Sequence, residues 1–107
     1  MEDRRITRGT DASLALGCDK LGFAPSDIEA IYFRTWQSGY DKTWGLSDWE
    51  IDGNIIRFNW SRFETFEMKP GNLRIELDVK VHGKVGRIKG IPESITVNRT
   101  KQEEPMP

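Results

Sequence analysis

Apolar and polar residues alternate with a period of two along most of this chain, the pattern of strands with one buried face. The longest run sets Leu73, Ile75, Leu77, Val79 and Val81 against Asn72, Arg74, Glu76, Asp78, Lys80 and His82. "IEAIYFRTWQ" (28–37) is rich in β-branched and aromatic residues and predicts a second strand. Ile31, Phe33 and Thr35 share one of its faces, while Tyr32, Arg34 and Trp36 share the other. "RRITRG" (4–9), "ASLALGC" (12–18) and "SITVN" (94–98) predict shorter strands. "IDGNIIRFNW" (51–60) adds a hairpin turn at Asp52-Gly53 and a strand presenting Ile56, Phe58 and Trp60 together.

The stretch between Trp60 and the long strand breaks this rhythm. Ser61 and Glu64 have capping-box spacing, which predicts one helical turn with Phe63 and Phe66 on one side. Pro70-Gly71 then suits the centre of a type II turn, and His82-Gly83 ends the long strand. Residues 21–27 read as a loop, and 38–51 as an edge strand or a mobile connection. Short strands separated by turn signals, with one corner between them, predict an all-β fold. The expected form is an immunoglobulin-like antiparallel β-sandwich of about seven strands with a short helical turn near 61–67. Residues 6–98 form the expected domain, 1–5 a flexible N-terminus and 99–107 a disordered polar tail.

Composition narrows the chemistry. The 107 residues suit one domain, and 36% hydrophobic residues suffice for a single core. Sixteen Lys and Arg against seventeen Asp and Glu provide no concentrated positive charge, so neither nucleic acid nor a membrane is an expected partner. "MEDRRITRG" lacks the apolar stretch of a secretory signal, which predicts synthesis in the cytoplasm without a signal peptide. Cys18 is the sole cysteine and His82 the sole histidine. That pair cannot furnish a zinc set or a conventional Ser-His-Asp triad. Asp41, Asp48, Glu50 and Asp52 lack calcium-loop spacing and read as a solvated acidic edge. Glu76 and Asp78, interleaved with Arg74 and Lys80, predict cross-strand ion pairs. The expectation is no enzyme, no cofactor and no metal.

The aromatic residues are the candidates for binding. Tyr32, Arg34, Trp36, Tyr40, Trp44 and Trp49 lie on the polar face of 28–37 or in the irregular 38–51 segment. Trp, Tyr and Arg anchor protein interfaces, and exposed rings stack on sugars. These six are the expected binding residues, for a protein partner or, alternatively, a glycan.

"RGT" (8–10), "IEAIYFRTWQ" ending in Gln37, "WSRFETF" (60–66) with Glu64-Thr65, and "LRIELDVKVHG" (73–83) occur in this order. Over roughly 6–98 the chain resembles small, mostly uncharacterised phage- and prophage-encoded proteins of Firmicutes, often encoded near virion-morphogenesis genes. The resemblance implies synthesis in a bacterial cytoplasm and association with a virion. It also implies a structural or adhesion module of a tail, baseplate or head–tail region, docking on structural proteins of the same particle or on itself. A carbohydrate-binding or adhesin module is the alternative.

Overall fold

The computed structural model describes residues 5–88, 94–100, 104, 106 and 107. These residues form nine strands: β1 (Arg5–Thr7), β2 (Ala12–Gly17), β3 (Ile28–Gln37), β4 (Tyr40–Trp44), β5 (Trp49–Asp52), β6 (Ile55–Trp60), β7 (Gly71–Val81), β8 (Lys84–Arg87) and β9 (Ser94–Asn98). The larger sheet runs β1-β9-β7-β3-β4, with β8 also on β7, and the smaller runs β2-β6-β5. β3 occupies one edge of β7, so β9 and β8 share the other, β9 at its start and β8 at its end. With β2, β6 and β5 facing β3, β7 and β9, the strands are arranged as in an immunoglobulin-like sandwich. The expected β-sandwich is therefore present, with more strands than the seven expected.

It is not wholly antiparallel. β1 runs parallel to β9, with Arg5 opposite Thr96 and Thr7 opposite Asn98. Segment 38–51, expected as one edge or a mobile connection, builds ordered strands in both sheets. β4 folds back on β3, and the short turn Leu46–Asp48 carries the chain across to β5. Gly45 N donates to Asp48 Oδ2 at 3.0 Å, so that carboxylate closes the crossing turn. The β5–β6 turn falls one residue later than expected, on Gly53-Asn54. Of the expected flexible N-terminus and polar tail, residues 1–4, 101–103 and 105 lie outside the described residues.

The core lies between the sheets, centred on Phe33. Phe58, Trp49, Trp44 and Trp60 surround it with ring centroids 4.9–6.0 Å away. Edge-on and tilted ring pairs each contribute about 0.5–1.5 kcal/mol beyond area burial. Leu73, Leu77, Leu14 and Ile56 complete the core from the inward positions of their strands. Cys18 is buried among them, and burial, then Asp19, pushes its thiol pKa up.

One helix, α1 (Arg62–Glu67), joins β6 in one sheet to β7 in the other. Ser61 Oγ accepts from Glu64 N at 3.2 Å, as the capping pattern predicts. Asp11 adds a second cap, its Oδ1 accepting from Arg62 N at 2.7 Å. The inward residues are Thr65 and Met68, while Phe63 is 50% exposed. Thr65 Oγ1 accepts from Gly9 N at 3.1 Å and donates to Thr10 O at 2.7 Å. Arg8 donates to Phe66 O at 2.8 Å and stands 4.8 Å over the Phe66 ring. Gln37 completes the clasp from β3, pairing both amide atoms with the backbone N–H and C=O of Lys69. Arg-Gly-Thr, the strand-ending Gln and Glu-Thr thus converge on one corner, far apart in sequence and joined by hydrogen bonds. The corner locks the sandwich.

Gly71, at the exit of that corner, has φ +123°. A Cβ there would meet nothing within 4 Å, so any cost of a side chain is backbone strain. Gly71→Val should lower stability by about 1–3 kcal/mol, since a β-branched residue disfavours this region. An unchanged thermal midpoint would contradict it.

Candidate functional site

The β-pleat sends alternate β3 residues out of the sandwich, and β7 answers each across the ladder. Tyr32 lies opposite Asp78, Arg34 opposite Glu76, and Trp36 opposite Arg74. β4 places Asp41 opposite Trp36, and β8 places Arg87 opposite Asp78. The outer face of the larger sheet is thus a grid of alternating charges with two aromatic rings.

Its charges are largely committed to one another. Arg34 holds Asp41 with two bonds, Nη2 to Oδ2 at 2.8 Å and Nε to Oδ1 at 3.0 Å. Arg87 donates to Asp78 Oδ1 at 2.9 Å and reaches Glu76 Oε1 at 3.1 Å. The hydrogen bond from Arg34 holds the Asp41 carboxyl below its ordinary pKa, and Arg34 is raised in turn. Exposed pairs of this kind contribute little to stability; they fix side chains in place. The guanidinium of Arg34 stands 4.4 Å over the Trp36 ring and that of Arg74 stands 5.8 Å over it. Tyr32 is 43% exposed in the middle of the grid. The arrangement is an ordered outer face of paired charges and two rings.

Three of the six expected binding residues meet on this face: Tyr32, Arg34 and Trp36. The other three are corrected. Tyr40 and Trp49 are each 6% exposed, and Trp44 packs partly buried against Phe33 and Phe58. They turn inward because 40–44 and 49–52 are regular strands, whose alternation places Tyr40, Trp44 and Trp49 toward the core. The residues that sequence reasoning left out of the site are Arg74, Glu76, Asp78 and Arg87. Alternation on β7 already put the first three on one face; missing was the knowledge that β3 is its neighbour.

The inner side holds a small polar cluster. Burial pushes the Tyr40 hydroxyl up to about 12, with Thr35 opposing and Glu64 and Glu67 assisting the shift. The hydroxyl forms no well-shaped hydrogen bond among the described residues. Lys42 Nζ lies 3.4 Å from Glu67 and 3.7 Å from Glu64, bridging β4 to α1. A phenol whose folded pKa is raised contributes stability fully present below its ordinary value of 10 and lost as pH rises through about 12. Tyr40→Phe should therefore retain the neutral-pH melting temperature and flatten its decline above pH 10 relative to wild type. Identical alkaline melting curves would contradict this reading.

No group of three or more His, Cys, Asp or Glu is placed to hold a metal ion among the described residues. Asp41 is engaged by Arg34 and Asp48 by Gly45. No described helix is long and apolar enough to cross a membrane.

No family model matches the chain, and no curated protein matches it by sequence. Among solved structures, it is similar to a protein from Bacteroides vulgatus ATCC 8482 provisionally described as a glycoside hydrolase. The TM-score is 0.57 at 15% identity, covering 94% of this chain and 17% of the other. At that identity the likeness is one of fold, and the matched region is a small part of the larger protein.

Proposed function

We propose that this domain is a non-enzymatic structural and assembly module. It docks through the outer face of the larger sheet on structural proteins of one particle or on copies of itself. The observation carrying this reading is the sorting of the aromatics. Tyr32 stands exposed beside fixed arginines, the composition of protein-interface hot spots, whereas Trp44 and Trp49 serve the core. Ion pairs made within the face hold its side chains before a partner arrives, which lowers the entropy cost of docking. The setting in a phage or prophage particle, at a tail, baseplate or head–tail joint, rests on the sequence resemblance.

A second reading, a carbohydrate-binding or adhesin module, draws on the description of the Bacteroides neighbour. Stacking on sugar requires open ring faces. Trp36 stands under two guanidinium groups, which leaves Tyr32 as the ring available on this face. A glycan array separates the two readings. The assembly reading expects no selective sugar signal; a selective signal lost in Tyr32→Ala would favour the glycan module.

A further inference from the structure

We infer that the free edge of β4 pairs with the β4 edge of a second copy, antiparallel across a two-fold axis at Thr43. The contact is made by backbone groups at the sheet edge, so it stands whether or not the Tyr32 face docks a partner. Among the described residues β4 pairs with β3 alone. The turn at Ser38-Gly39 sets Gln37 opposite Tyr40, and the pair closing a two-residue hairpin is hydrogen-bonded. Tyr40, Lys42 and Trp44 therefore turn their N–H and C=O groups toward β3. Asp41 and Thr43, lying between them, aim theirs at the open edge.

Sheet edges are ordinarily guarded by proline, a bulge or unpaired charge. β4 contains no proline, and its register with β3 runs unbroken from Tyr40 to Trp44. Its two charges are engaged within the chain, Asp41 by Arg34 and Lys42 beside Glu64 and Glu67. The side chains then choose the register. Like charges directly opposite one another destabilise a strand pair. A two-fold axis at Asp41 would oppose two aspartates, and one at Lys42 two lysines. An axis at Thr43 sets that threonine against its own copy on the exposed outer side. It also sets Lys42 opposite the second copy's half-buried Trp44 on the inner side. Both are favourable cross-strand pairs. Axes at either end of β4 pair fewer of its residues. In the resulting dimer the Tyr32 faces of the two copies lie on one continuous sheet.

The test is the oligomeric state of the purified chain. Sedimentation velocity should show monomer giving way to dimer as the concentration rises to about 1 mM, the range of weak contacts. On dilution, the largest amide NMR shifts should fall at Asp41 and Thr43. Thr43→Lys and Thr43→Glu change an exposed side chain and should each keep the wild-type melting temperature. Each should weaken the dimer about tenfold or more, because the axis opposes like charges. Mixed in equal amounts, the two variants should dimerise again, since the axis then sets opposite charges face to face. A protein that stays monomeric throughout, dilution shifts centred elsewhere, or single variants that dimerise like wild type would overturn the proposal. A mixture that stays monomeric would overturn it as well. Should either variant unfold, the wild-type dilution shifts decide alone.

Discussion

Trp49→Ala should destabilise the domain by about 3–5 kcal/mol, the usual cost of deleting a buried aromatic side chain. Trp49 closes the core from the edge of the smaller sheet, its ring 5.2 Å from Phe33 and 5.5 Å from Phe58. Its indole N–H has no partner among the described residues, so the loss is one of packing rather than of a hydrogen bond. Domains of this size have total stabilities of about 5–15 kcal/mol, so roughly a fifth or more of the margin would go. At roughly 4 °C or more per kcal/mol, the thermal midpoint should fall by over ~10 °C. Tyr32→Ala, on the exposed face, should shift it little. If Trp49→Ala melts like wild type, that tryptophan is not the core residue described here.

Thr65→Val tests the corner. Valine matches the shape of threonine but removes the hydroxyl that takes Gly9 N and supplies Thr10 O. Both backbone groups then lose their partner in a site where Thr65 is wholly buried. Each buried polar group left unsatisfied costs about 1–3 kcal/mol, so a loss of about 2–4 kcal/mol is expected. Thr65→Ser keeps the hydroxyl and should recover most of it, a result that loss of methyl packing alone would not give. Ser61→Ala, removing one exposed cap, should cost about 1 kcal/mol. Equal melting curves for Thr65→Val and wild type would show that the clasp contributes nothing.

The strands were legible where alternation was clean. β3, β6 and β7 lie where period two places them, because each buries one face against the opposite sheet. The helix start at Ser61 was legible because a cap is local, set by residues three apart. Segment 38–51 was not, although it contains two strands. Its alternation is broken by the sheet-to-sheet crossing at Leu46–Asp48, and Trp44 and Trp49 read as surface residues until that crossing is known. The same limit hid the role of the corner. Arg8, Gly9 and Thr10 stood out as a motif, as did Gln37 and Thr65, but their hydrogen bonds join residues more than thirty positions apart. The parallel β1–β9 pairing is likewise a contact between the two ends of the chain. The candidate face was half legible: β3 supplied Tyr32, Arg34 and Trp36, while Arg87 enters only because β8 folds beside β7.

The most direct test of the proposed docking face is site-specific photo-cross-linking in cells that carry the gene. A photoreactive phenylalanine replaces Tyr32 in one experiment and Ala15, on the outer face of the smaller sheet, in another. The account predicts a discrete adduct from position 32, joined to a particle structural protein or a second copy of this chain, and none from position 15. No adduct at 32, or one formed only from 15, would contradict it.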